Sequence, residues 1–125
     1  MMFKKSSILM FILILLTDCS SSSYQKISAE DAKELLISDS SVILLDVRTI
    51  AENYELRIPG STLIPLDTLE EQVESLLTDK QVKIVVYCRS GNRSKEAADI
   101  LIGLGYKNVF DLGGIIDWPY ETESN

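Results

Sequence analysis

Two short apolar runs constrain this chain more than any other feature. They are Val42-Ile43-Leu44-Leu45 and, after Lys83, Ile84-Val85-Val86-Tyr87. Neither alternates with polar residues, as a strand with one wet face would. Uninterrupted runs of this length fit strands buried on both faces, and such strands belong to parallel sheets covered by helices. The intervening segments supply the helices. Ser28, with Asp31 three residues later, reads as a variant capping box ahead of Ala32, Leu35 and Leu36. Thr49 to Glu55 reads as a short helix, Pro59-Gly60 as a turn, and Thr62-Leu63-Ile64 as a short strand ended by Pro65. Asp67 is expected to cap a helix carrying Leu69, Val73, Leu76 and Leu77. Lys95 to Leu104 packs through Ala97, Ala98, Leu101 and Leu104, with Gly105 as its C′ residue. Val109-Phe110 is a last short strand, and Gly113-Gly114 turns the chain toward Trp118. The expected fold is one α/β domain: a mainly parallel sheet with helices on both faces. A length of 125 residues, 46% of them hydrophobic, suits a single small domain.

In such sheets ligands bind beyond the carboxyl ends of the strands. Cys88 stands at one such end, and Asp46-Val47-Arg48 at another. Cys88 opens the segment Cys88-Arg89-Ser90-Gly91-Asn92-Arg93-Ser94, which leads into a helix. Backbone N–H groups in a loop of this kind converge on one point, and the helix dipole adds partial positive charge. Arg89 and Arg93 add full charges. These surroundings favour a thiolate and hold an anion beside it. The ordinary reading is a packing cysteine, since free cysteine is among the most buried residue types. The six residues after Cys88 contain no apolar side chain, so Cys88 is read as facing the loop and not the core.

Composition removes several classes of function. The net charge of −7, without a basic stripe, argues against nucleic acid as partner. The chain has no histidine, which excludes a Cys-His dyad and any histidine-containing zinc site. Two cysteines, Cys19 and Cys88, cannot build a cysteine-rich metal site. No metal and no cofactor is expected.

Lys4 and Lys5 precede the apolar run Ile8 to Leu16, nine residues long and too short to span a bilayer. Leu16-Thr17-Asp18-Cys19 follows, then four serines. The pattern resembles a bacterial lipoprotein signal, in which the cysteine is lipidated. Asp18 departs from it, because a small residue is usual there. Ordinary cleavage nearby and an uncleaved anchor are the alternatives. The expected organisation is a signal segment over 1–19, a serine-rich tether over 20–26, the folded domain over 27–120 and a tail over 121–125. The expected location is the cell envelope or periplasm of a bacterium, with a lipid anchor through Cys19.

Four segments together carry a family resemblance. They are Leu44-Leu45-Asp46-Val47-Arg48, Ile58-Pro59-Gly60-Ser61, the Cys88-to-Ser94 loop, and Leu112-Gly113-Gly114-Ile115 ahead of Trp118. In this order and spacing they resemble the single-domain rhodaneses, which are sulfurtransferases. The resemblance covers most of Ile27 to Trp118. It implies that Cys88 takes the outer sulfur of a small anionic donor such as thiosulfate, polysulfide or a persulfide. The resulting Cys88 persulfide passes that sulfur to a thiol or to cyanide. It further implies that Arg89 or Arg93 binds the donor's anionic end and that Gly91 lets the loop curl. Ser90, Asn92 and Ser94 would donate hydrogen bonds or cap the helix. Asp46 and Arg48 are expected to form an ion pair that supports the pocket. Trp118 is expected to pack. Arg57 and Leu56 depart from the histidine and glycine usual in the family, with an effect expected on local packing.

Three alternatives use the same residues. A phosphatase or arsenate reductase on a rhodanese-like fold needs an arginine six positions after the cysteine, whereas Arg93 is five after Cys88. A non-enzymatic sulfur-carrier module usually lacks the cysteine. A thiol redox protein needs a second nearby cysteine, which is absent from this loop.

Overall fold

The computed structural model describes residues 23–125. The signal segment and Cys19 lie outside the described residues. Five strands form one sheet: β1 (Gln25–Lys26), β2 (Ile43–Asp46), β3 (Thr62–Leu63), β4 (Lys83–Cys88) and β5 (Asn108–Gly114). Their spatial order is β1-β5-β4-β2-β3, and every pair is parallel. The helices are α1 (Ala29–Ser38), α2 (Ile50–Glu55), α3 (Leu66–Leu76) and α4 (Asn92–Gly103), and a 3₁₀ turn spans Ile115–Asp117.

The two apolar runs form the neighbouring central strands β2 and β4, with Leu44 opposite Val85 and Leu45 opposite Val86. Alternate residues of each strand enter different cores. Leu45, Val47, Ile84 and Val86 pack with Leu69 and Val73 of α3 and with Ala97, Ala98 and Leu101 of α4. Leu44, Val85 and Tyr87 pack on the other face with Ala32 of α1, Ile58 and Ile115. Burying a side chain such as Leu69 or Val73 fully contributes about 1.5–3 kcal/mol. This two-sided burial is why neither run alternates.

Chain order fixes where a crevice opens. From β2 the chain moves outward to β3, then returns to β4 on the other side and continues to β5. The connections after β2 and β4 therefore diverge, and the space above their carboxyl ends is a switch point.

Several elements differ from their sequence-based expectation. Pro65, with φ −57°, is the N-cap of α3, and Asp67 sits in its first turn, where it complements the dipole without capping. β5 runs seven residues instead of two, because Gly113 and Gly114 pair with Tyr87 and Cys88 after a bulge that skips Leu112. Gln25 and Lys26, assigned to the tether, pair with Phe110 and Asp111 at the sheet edge. The tail also docks: Arg57 and Glu123 form an antiparallel bridge, and Asn125 N donates to Tyr54 O. Other local signals form as expected. Ser28 Oγ accepts from Asp31 N, and Gly105, at φ +99°, closes α4 with bonds from Gly105 N to Ile102 O and Tyr106 N to Leu101 O.

Candidate active site

Cys88 ends β4 at the switch point, in register with Gly114 of β5. Its side chain is 1% exposed and belongs to the core between the sheet and α3/α4. This corrects the expectation that it faces only the loop: β4's alternation turns its Cβ toward α4. Its sulfur still meets the loop, for Gly91 N–H donates to Cys88 Sγ at 3.0 Å.

The loop is shorter than the sequence suggests. Gly91, at φ +114°, is the N-cap of α4, so Asn92, Arg93 and Ser94 already belong to the helix. Left-handed backbone at this point turns the Gly91 amide back onto the sulfur, and glycine takes it without strain. Ser94 is buried, and its hydroxyl donates to Gly91 O at 3.1 Å. The Ser94 hydroxyl thus braces the loop against the start of α4. Arg89, Ser90 and Asn92 are exposed.

β5 presses on the loop from the other side. A Cβ on Gly114 would lie 2.3 Å from Arg89 O and 2.6 Å from Ser90 Cα. Ile116 N donates to Arg89 O at 3.2 Å. The Gly113-Gly114 pair, read from sequence as a turn, is the flat wall against which the Cys88 loop rests.

Arg93 does not stand free. Its Nη1 and Nη2 donate to Glu52 Oε1 and Oε2 at 2.8 and 3.0 Å. Glu52 belongs to α2, and Thr49 caps that helix in a complete capping box with it. The hydrogen bonds from Arg93 pull the Glu52 carboxyl down to about 2, against partial burial and with help from Thr49. Arg93 is raised by the same bonds against its own burial, with the charge of Cys88 adding to the effect. Sequence reasoning missed Glu52. Its available signal was the Thr49-x-x-Glu52 spacing of a capping box, which marks a helix start and says nothing about a partner 41 residues away.

The expected Asp46–Arg48 ion pair is present and buried, at 0% and 4% exposure. Arg48 Nε and Nη2 reach Asp46 Oδ1 and Oδ2 at 2.9 and 2.8 Å, and Nη2 also donates to Leu56 O at 2.7 Å. Asn53 Nδ2 donates to Asp46 Oδ2 at 3.0 Å, and the Tyr87 hydroxyl lies 3.1 Å from the same oxygen. Burial would lower the Arg48 pKa, but the bonds and charge of Asp46 outweigh it and leave it raised. Burial raises the Tyr87 hydroxyl. Among the described residues no buried side-chain polar atom lacks a partner. The network lies on the sheet face opposite the Cys88 side chain and ties the C-terminal half of α2 to β2 through Asn53 and Leu56. It therefore holds the helix that presents Glu52 to Arg93. Arg57 braces the same helix, donating to Asn53 O and pairing with Glu123.

A groove of about 430 Å³ runs beside the first turns of α4. Val47, Arg48, Thr49, Pro65, Leu66, Asp67, Arg93 and Glu96 line it. Chemically, the assembly offers a thiol held by one backbone donor, an exposed arginine beside it, and an arginine neutralised by a carboxylate. That arrangement suits nucleophilic attack by sulfur on a small electrophile.

Comparison with known proteins agrees with this geometry. The profile of the rhodanese-like domain matches residues 28–120. A sulfurtransferase of Allochromatium vinosum is 36% identical over 94 residues, covering 74% of this chain and 86% of that protein. YrkF of Bacillus subtilis is 38% identical over 103 residues, 82% of this chain, and the chain spans 55% of that protein's length. A crystal structure of a rhodanese-related protein from Thermoplasma volcanium superposes with a TM-score of 0.71 at 32% identity, covering 82% of this chain and all of that one. The Cys88 loop, the glycine wall and the buried ion pair thus sit in a chain that belongs to the rhodanese-like family, with sulfurtransferases among its relatives.

Proposed function

We propose that this protein transfers a sulfane sulfur through a persulfide on Cys88. The Cys88 thiolate attacks the outer sulfur of the donor. With thiosulfate, the S–S bond breaks, its electron pair leaves with sulfite, and Cys88 carries S–S⁻. An acceptor thiolate or cyanide then attacks the outer sulfur and restores the Cys88 thiolate. The observation that carries this reading is the Gly91 N–H on Cys88 Sγ at 3.0 Å, at the start of α4. A backbone donor and a helix N-terminus stabilise negative charge on sulfur in both the thiolate and the persulfide. Arg89 is the exposed cation that meets an incoming anion. Because Cys88 is only 1% exposed, the donor presents its terminal sulfur as a single leading atom.

The phosphatase reading is weaker. A tetrahedral oxyanion needs an arginine curled over the loop, and Arg93 instead lies within α4 with both Nη groups on Glu52.

The test is the intact mass of the purified protein before and after thiosulfate or a persulfide donor. The expected result is a gain of one sulfur atom that cyanide removes and that Cys88→Ser abolishes in a folded protein. Turnover that survives Cys88→Ser would overturn the mechanism.

A further inference from the structure

We propose that Glu52 sets the donor preference of this site: by cancelling the charge of Arg93 it turns the site from inorganic dianions toward organic persulfides. The inference rests on the sulfurtransferase reading above and decides between the donors that reading leaves open. Arg93 lines the groove, and its two Nη groups both bond Glu52. Arg48, the other arginine of the lining, is consumed by Asp46. Asp67 and Glu96 stand exposed on the same lining. Among the described residues, Arg89 is the one arginine of the loop without an ion pair. Arg93 thus shares the groove with the carboxylates of Asp67 and Glu96 while Glu52 holds its guanidinium.

Thiosulfate would bring two negative charges to a thiolate in that setting. An organic persulfide brings one charge or none to the reacting sulfurs. In that case the Cys88 thiolate attacks the terminal sulfur of R–S–SH, the S–S bond breaks, and RS⁻ leaves with the electron pair. The proton stays on the new Cys88–S–SH. The groove then has an occupant, for Val47, Pro65 and Leu66 offer apolar surface to R that an inorganic dianion cannot use.

The experiment measures loading of Cys88 in the purified protein, by intact mass, with thiosulfate and with cysteine persulfide in parallel. Wild type is expected to favour cysteine persulfide in kcat/KM by about tenfold or more, and Glu52→Gln to raise the thiosulfate value about fivefold, chiefly through KM, with the persulfide value changed less than about twofold. A residue that served only to hold α2 would change both donors together. Asp67→Asn and Glu96→Gln give the same reading should Glu52→Gln unfold, because both are exposed and neither side chain hydrogen-bonds among the described residues. Each is expected to raise thiosulfate use about twofold. Thiosulfate preferred by wild type, or a donor ratio unmoved in all three variants, overturns the proposal while Cys88 still loads. Failure of both donors to load wild type overturns the sulfurtransferase reading itself.

Discussion

At the scale of single residues, Cys88 was legible as the candidate site and the ion pair beside it was not. Cys88 stands out because a strand, a polar loop and a helix start meet there within a few positions. Glu52 does not, because its meaning depends on Arg93, which only the fold brings beside it. The pair makes a pH prediction. Folding lowers the Glu52 carboxyl from an ordinary 4.5 to about 2. A depressed carboxyl stabilises the folded state above its unfolded pKa, and that stability is lost as pH falls from about 4.5 toward 2. Urea unfolding across this window should therefore show wild type losing stability more steeply than Glu52→Gln. Parallel pH profiles for the two would remove the pair from the stability of the fold.

At the scale of elements, β2 and β4 were readable because burial on both faces leaves an unbroken apolar run. β5 was under-read, since its glycines signal a turn in sequence and become a packing wall only where β4 lies alongside. Gly114→Ala should test that wall. Its new Cβ would meet Arg89 O at 2.3 Å and push the loop off the sulfur. Loading of Cys88 is expected to fall about 10–100-fold, with far-UV circular dichroism unchanged. α2 depends on a different device. Asp46→Ala would leave the Arg48 charge, at 4% exposure, without a counter-ion, costing about 3–5 kcal/mol. The urea midpoint should drop accordingly at unchanged m value. A smaller loss would mean that Leu56 O and solvent suffice to hold the guanidinium.

At the scale of the whole molecule, the sheet order was not written in any one segment. It follows from which strands tolerate burial: the two apolar runs take the centre, and the two-residue strands β1 and β3 take the edges. The switch point between β2 and β4 then gathers the Cys88 thiol, the Asp46–Arg48 pair and the Arg93–Glu52 pair. Export belongs to this scale too, and we propose that Cys19 anchors the protein in a bacterial envelope. Asp18→Gly should increase incorporation of a fatty-acid probe, and absence of label in both forms would remove the anchor. Outside the cytosol an unpaired thiol risks mixed disulfides with whatever it meets. Cys88, at 1% exposure, is shielded by size. Relative to free cysteine, it should resist a bulky aromatic disulfide far more than a small alkylating agent. On this proposal the enclosure around Cys88 serves as a sieve that keeps the sulfur reduced until a donor arrives.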